Sequence, residues 1–187
     1  MLMLYKKEEN MRKHIIKLLA VVSCISITTF SLIGCGETKT ADIHEVYEAV
    51  KEAYGEEYIP SYEFDAEYVQ EIFGLSEDLY EDIIAEGPKV SFNIDTFVAV
   101  KAVQGKGDQV YDILSDYRDT QINDAMQYPT NAIKIQASEV TKYGDYIFFT
   151  CLGVIPEDIE DNGDEAILEE AKSDNKIAVD VIESFFK

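Results

Sequence analysis

Around Gly87-Pro88 the apolar residues change their spacing, from the three-to-four-residue recurrence of amphipathic helices to the alternation of strands, so the chain must combine both kinds of element. Upstream, Ile43, Val46, Tyr47, Val50 and Tyr54 recur at helical spacing until Gly55 ends the pattern. A second helix is predicted from Asp65 as its cap to Phe73, with Gly74 as its stop. A third is predicted over 77–86, capped by Ser76, with Leu79, Tyr80, Ile83 and Ile84 as its apolar side. Downstream, Phe92, Ile94, Val98, Val100 and Ala102 share one side of a long strand, and Asn93, Asp95, Phe97, Ala99 and Lys101 share the other.

Gly105-Lys106-Gly107 turns that strand, and Asp108 is placed to cap a long helix reaching about Met126. Tyr128-Pro129-Thr130-Asn131 breaks the helix. A hairpin follows, with arms at 136–142 and 146–154 around Tyr143-Gly144-Asp145. Beyond an acidic loop at 157–164, Ile167, Leu168, Ala171, Ala178, Val181, Ile182, Phe185 and Phe186 predict a terminal helix or two, with Ser173-Asp174-Asn175 as the break. The order reads as α+β: an antiparallel or mixed sheet of about three strands, mainly antiparallel, in a strand-helix-strand-strand core covered by helices. Further helices are added at the N- and C-terminal ends.

Leu32-Ile33-Gly34-Cys35 says where such a domain is sent. It closes an apolar run that begins at Leu18 and follows the basic Met11-Arg12-Lys13-His14, the layout of an export signal. The stretch resembles a bacterial lipoprotein signal. That resemblance implies cleavage before Cys35 and diacylglycerylation of its thiol, giving a signal peptide at 1–34, with its true start at Met11. The lipidated Cys and a short linker then occupy 35–41, and a single domain 42–187. Two other readings compete: an uncleaved anchor, for which 15–33 nearly reaches the ~20 apolar residues required, and a plain secretory signal, whose Ala-x-Ala site is missing. With ~3.5 Å per extended residue, the linker keeps the domain within about 20 Å of the bilayer.

Residues 35–187 hold 11 Lys and Arg against 35 Asp and Glu, a formal charge of −24. This field repels phosphate backbones and anionic head groups, so nucleic acid is not an expected partner and the lipid on Cys35 must hold the protein to the membrane. A hydrophobic content of 47% is that of a chain with a core, so the acidity does not imply disorder. Of the cysteines, the signal resemblance implies that Cys24 leaves with the signal and that Cys35 carries lipid. Cys151 therefore has no disulfide partner and reads as a buried strand thiol.

Several short pieces together resemble a known family: Tyr54-Gly55 with Tyr58 and Pro60, Gly74-Leu75, Asp95-Thr96-Phe97 with Lys101, Gly105-Lys106 and Tyr117-Arg118. Gln127-Tyr128-Pro129, Asn131, Lys134-Ile135-Gln136-Ala137 and Gly144-Asp145-Tyr146 continue the series. They are similar to an uncharacterised family of small Gram-positive lipoproteins, domain-of-unknown-function family 4358, over roughly 42–153. The resemblance implies export and lipidation and carries over no active site.

Catalytic signatures are scarce. His14 lies in the signal and His44 on an acidic helix face, and no phosphate loop, zinc cluster or nucleophile elbow occurs. Asp158, Glu160, Asn162, Asp164 and Glu169 fall at EF-hand-like positions 1, 3, 5, 7 and 12, with Gly163 at 6, which raises calcium as a cofactor. Glu at position 3, Glu165 at position 8 and a preceding strand depart from that pattern; an acidic turn with Asp164 as helix cap is the competing reading. Lys101, Arg118 and Lys134 with Gln127, Tyr128 and Asn131 form a second candidate, a binding surface for a carboxylate, a sugar or a partner protein. Its competing reading is neutralisation of neighbouring acids. The expectation is a lipid-anchored extracytoplasmic binding module whose partner is an unknown envelope protein or small ligand. The alternatives are an envelope enzyme or subunit using carboxylates or Arg118, and a calcium-binding surface protein.

Overall fold

The computed structural model describes residues 40–89, 93–124 and 127–187, which fall within one compact unit, 38–187. In chain order the elements are helix α1 (Ile43–Tyr54), strand β1 (Tyr62–Glu63), helix α2 (Ala66–Phe73), strands β2 (Tyr80–Gly87) and β3 (Thr96–Ala102), and helices α3 (Gly107–Ile122) and α4 (Pro129–Lys134). Strands β4 (Glu139–Tyr143) and β5 (Tyr146–Cys151) follow, then helices α5 (Glu157–Glu160) and α6 (Asp164–Phe186). The strands form a five-stranded sheet in the order β1-β2-β3-β5-β4, with every neighbouring pair antiparallel. The α+β class is as expected; the sheet has five strands where about three were expected.

The largest departure is residues 77–86. Only a single 3-10 turn, Glu77–Leu79, precedes strand β2. Two features hid the strand. Both of its faces are covered, so Ile84 and Ala85 are buried side by side, and the register shifts between Tyr80 and Asp82. A bulge of this kind changes which face later residues occupy and erases the two-residue period.

In β3 and β5 the alternation is plain. Val98, Val100, Ala102, Ile147, Phe149 and Cys151 join one core cluster with α2 and α3. Phe97, Ala99, Tyr146, Phe148 and Leu152 join the other, with α1 and α6. The result is three layers, helices on both faces of one sheet.

Helix caps locate most other boundaries. Asp42 accepts from the His44 N–H and Asp65 from the Tyr68 N–H, each at 2.9 Å, and Gly74 ends α2 in the left-handed region at φ 78°. Helix α3 is a correction. It starts at Gly107 and ends at Ile122, and Asp108 lies inside its first turn, paired with Lys142. The capping carboxylate comes from the β4–β5 turn: Asp145 accepts the N–H groups of Gly105 and Gly107 at 3.1 Å. A Cβ on Gly107 would meet the Gly144 carbonyl at 2.4 Å, so only glycine fits there.

Pro129 opens the short α4 rather than merely ending α3. Residues 135–137 form a 3-10 turn, so the first hairpin arm is shorter than expected. The terminal helix is unbroken through Ser173-Asp174-Asn175. The buried Asn175 amide accepts from Leu152 N–H at 3.1 Å and donates to the Ala137 carbonyl at 3.0 Å, so both polar atoms of this core side chain have a partner.

Candidate binding site

Helix α2 has only eight residues, too short to cover its share of the sheet. Between it, α3 and the start of β3 lies a groove of about 500 Å³. Rings build it: Phe64 stacks on Tyr68 with centroids 4.6 Å apart, Phe73 meets Tyr117 edge-on at 4.7 Å, and Tyr117 meets Phe149 at 5.4 Å. Gly87 lets Phe64 lie flat against the strand, since a Cβ there would sit 2.3 Å from its ring. Tyr62, Tyr68 and Ile72 remain 51%, 40% and 40% exposed at the groove, while Lys89, Asn93 and Gln121 supply its polar lining. Burial holds the Tyr117 phenol above its ordinary range, so it stays a neutral ring.

Asn93 also lines a second, smaller cavity of about 220 Å³, with Asp95, Thr130, Asn131, Lys134 and Glu160 around it. At its base the buried Lys134 ammonium donates to Asp95 Oδ2 at 2.6 Å and to the Gly153 carbonyl. Asp95 Oδ1 accepts the Gly153 N–H at 3.1 Å, and the Asp95 N–H donates to Asn93 Oδ1 at 2.8 Å. Burial pushes the Asp95 carboxyl above the usual carboxylate range; the Lys134 charge and hydrogen bond pull it partly back.

Three successive amides leaving β5 are thus held by side chains: Leu152 by Asn175, Gly153 by Asp95 and Val154 by Asp174. A strand end that has run out of sheet partners is satisfied by α6 and the approach to β3.

The basic and amide residues singled out from sequence do not form one surface. Lys101 pairs with Glu81 at 2.7 Å on the sheet. Arg118 donates to the Ser138 and Gln136 carbonyls at 2.7 and 3.2 Å and lies 3.6 Å from Asp119. Gln127 bonds Gln121 at 3.2 Å, and Tyr128 is exposed. Only Asn131 and Lys134 come together, in the smaller cavity.

The calcium candidates spread over distinct elements: Asp158 and Glu160 on the single turn of α5, Asn162 bonding back to the Asp158 carbonyl at 2.6 Å, and Asp164 and Glu169 on α6, the latter 2.9 Å from Lys172. Asp164 follows the cap residue Gly163 rather than serving as the cap. Among the described residues no three His, Cys, Asp or Glu side chains are grouped to hold a metal ion. Cys35 and the signal-like stretch lie outside the described residues.

The aromatic groove was missed from sequence, although Tyr62, Phe64 and Tyr68 lie within seven residues of one another.

Fold and site together define a mixed helix-and-sheet domain with a five-stranded antiparallel sheet and an open, ring-lined groove on one face. Residues 53–152 match the family described as a domain of unknown function, DUF4358, and the chain belongs to that family. Every described residue lining the groove falls inside the matched segment. No curated protein and no solved structure matches the chain.

Proposed function

We propose that the chain is a lipid-anchored protein of the cell envelope, displayed outside the cytoplasmic membrane like the Gram-positive lipoproteins it resembles, and that its domain is a binding module. The anchor rests on Leu32-Ile33-Gly34-Cys35 and the polar linker that follows. Among the described residues no helix is long and apolar enough to cross a membrane.

The observation that carries the binding role is the groove, a partly enclosed cavity lined by aromatic rings and polar groups in comparable measure, a form that ligand sites take. No carboxylate, imidazole or thiol is among the described residues that line it. The groove therefore offers ring surface, hydrogen bonds and the Lys89 ammonium rather than a carboxylate or imidazole placed for acid–base work, which favours binding over catalysis.

Detergent-phase partition of the full chain from cell membranes tests the anchor. The native protein is expected in the detergent phase with an acylated Cys35 as its first residue, and Cys35→Ser is expected to lose that acylation and cleavage. Native protein in the aqueous phase, or a first residue elsewhere, overturns the placement.

A further inference from the structure

The lining of the groove differs from the rest of the molecule in charge as well as in shape. Acidic residues number 37 of 187, yet none is among the described residues that line the groove. Among the described residues its only charged lining residue is Lys89.

Ten Lys and Arg side chains lie in the described residues. Nine of them reach a carboxylate oxygen at 3.9 Å or less: Lys51, Lys101, Lys106, Arg118, Lys134, Lys142, Lys172, Lys176 and Lys187. Lys89 has no ion-pair partner among the described residues. In so acidic a chain, a cation left without a carboxylate at the edge of a ring-lined cavity marks where an outside anion fits.

We propose, building on the binding role given to this groove, that its ligand is a small ring-bearing organic anion. A flat aromatic body lies against the exposed rings of Tyr62 and Tyr68, and a single carboxylate or similar group meets Lys89. Rings rather than alkyl chains are favoured because aromatic side chains line the groove, the exposed Tyr62 and Tyr68 among them, and an aromatic guest can stack on or meet them edge-on. One negative charge is favoured because Lys89 is the only cation among the described residues lining the groove while the net charge of −21 repels further anions.

The test is isothermal titration calorimetry on the full chain held in nonionic detergent at low salt, with 2-naphthoate and its neutral amide as paired probes. The native protein is expected to bind the naphthoate about threefold or more tighter than the amide, the scale of one exposed ion pair. Lys89→Gln is expected to reverse that order, since the protein's own field then disfavours the anion. Tyr68→Ala weakens both probes together.

If the amide binds as well as the acid, or Lys89→Gln leaves their ratio unchanged, the charge assignment is overturned while the groove remains a binding site. Decanoate binding as tightly as the naphthoate overturns the ring assignment. If neither naphthalene probe binds, this inference and the binding role of the groove fall together.

Discussion

The two faces of the sheet are covered unequally. On one, the 12 residues of α1 and the 23 of α6 lie against Phe97, Ala99, Phe148 and Leu152, and those side chains are buried almost completely. On the other, the helices among the described residues are α3 and the eight-residue α2, helped by Leu75, Leu79 and Ile135, and aromatic side chains stand at the groove. The same strands supply both faces through the alternation of their side chains. The difference therefore lies in helix length and not in the sheet. The matched family segment, 53–152, contains the whole of α2 and α3 but none of α6 and only the last two residues of α1. A cavity in this molecule comes from incomplete cover, and the well-covered face serves to hold the sheet still.

That contrast can be broken at several points. The largest expected effect is on Cys151, which belongs to the cluster on the open face yet has its thiol buried and pushed up to about 12. At about pH 8, alkylation of Cys151 followed by peptide mass spectrometry should run ~10³-fold or more slower in the folded chain than in urea. Fast labelling would mean that the groove opens through to the sheet.

Next, Lys134→Met should cost about 3–5 kcal/mol in urea unfolding because it strands the Asp95 charge. The double variant Asp95→Asn, Lys134→Met should recover part of that loss, no charge being left buried. On the covered face, Phe148→Ala should cost about 3–5 kcal/mol, the range for a buried aromatic. Tyr68→Ala, at the groove, should lose only the ~0.5–1.5 kcal/mol of a ring pair. Equal losses at the two positions would dissolve the contrast.

The smallest effect is on pH dependence. Burial raises both Asp95 and Asp174. A carboxyl raised on folding holds its proton more firmly in the folded chain, so the stability it brings is complete below the ordinary aspartate value and lost as pH rises through the folded one. The melting temperature should therefore climb, by about 2–4 °C per kcal/mol regained, as pH falls from neutrality towards that window. A fall instead would show that Lys134 outweighs burial at Asp95.

Much of this architecture could be read from the chain. The alternation from Phe97 to Ala102, the Asp65 and Gly74 boundaries of α2 and the burial of Cys151 all follow from local pattern. Strand β2 did not, because cover on both faces and a register shift removed the alternation that marks a strand. The α3 cap was illegible for a different reason: Asp145 lies 38 residues beyond Gly107, and no local rule reaches that far.

The site was legible only in fragments. Lys134 stood out as a scarce cation, but its partner Asp95 lies 39 residues earlier, and Lys101 and Arg118 proved to be engaged elsewhere. The groove depends on how short α2 is relative to the sheet, a quantity that appears only once the strands are counted.

The carboxylate of Asp145 ties two events of assembly into one. Until the β4–β5 hairpin closes, the Gly107 amide that opens α3 and the Gly105 amide just before it lack this acceptor, and until that turn is in place the Asp145 side chain lacks its donors. Cooperativity is thereby written into a single aspartate, and a chain carrying Asp145→Ala should fold more slowly while unfolding at a nearly native rate, the kinetic mark of a contact made early.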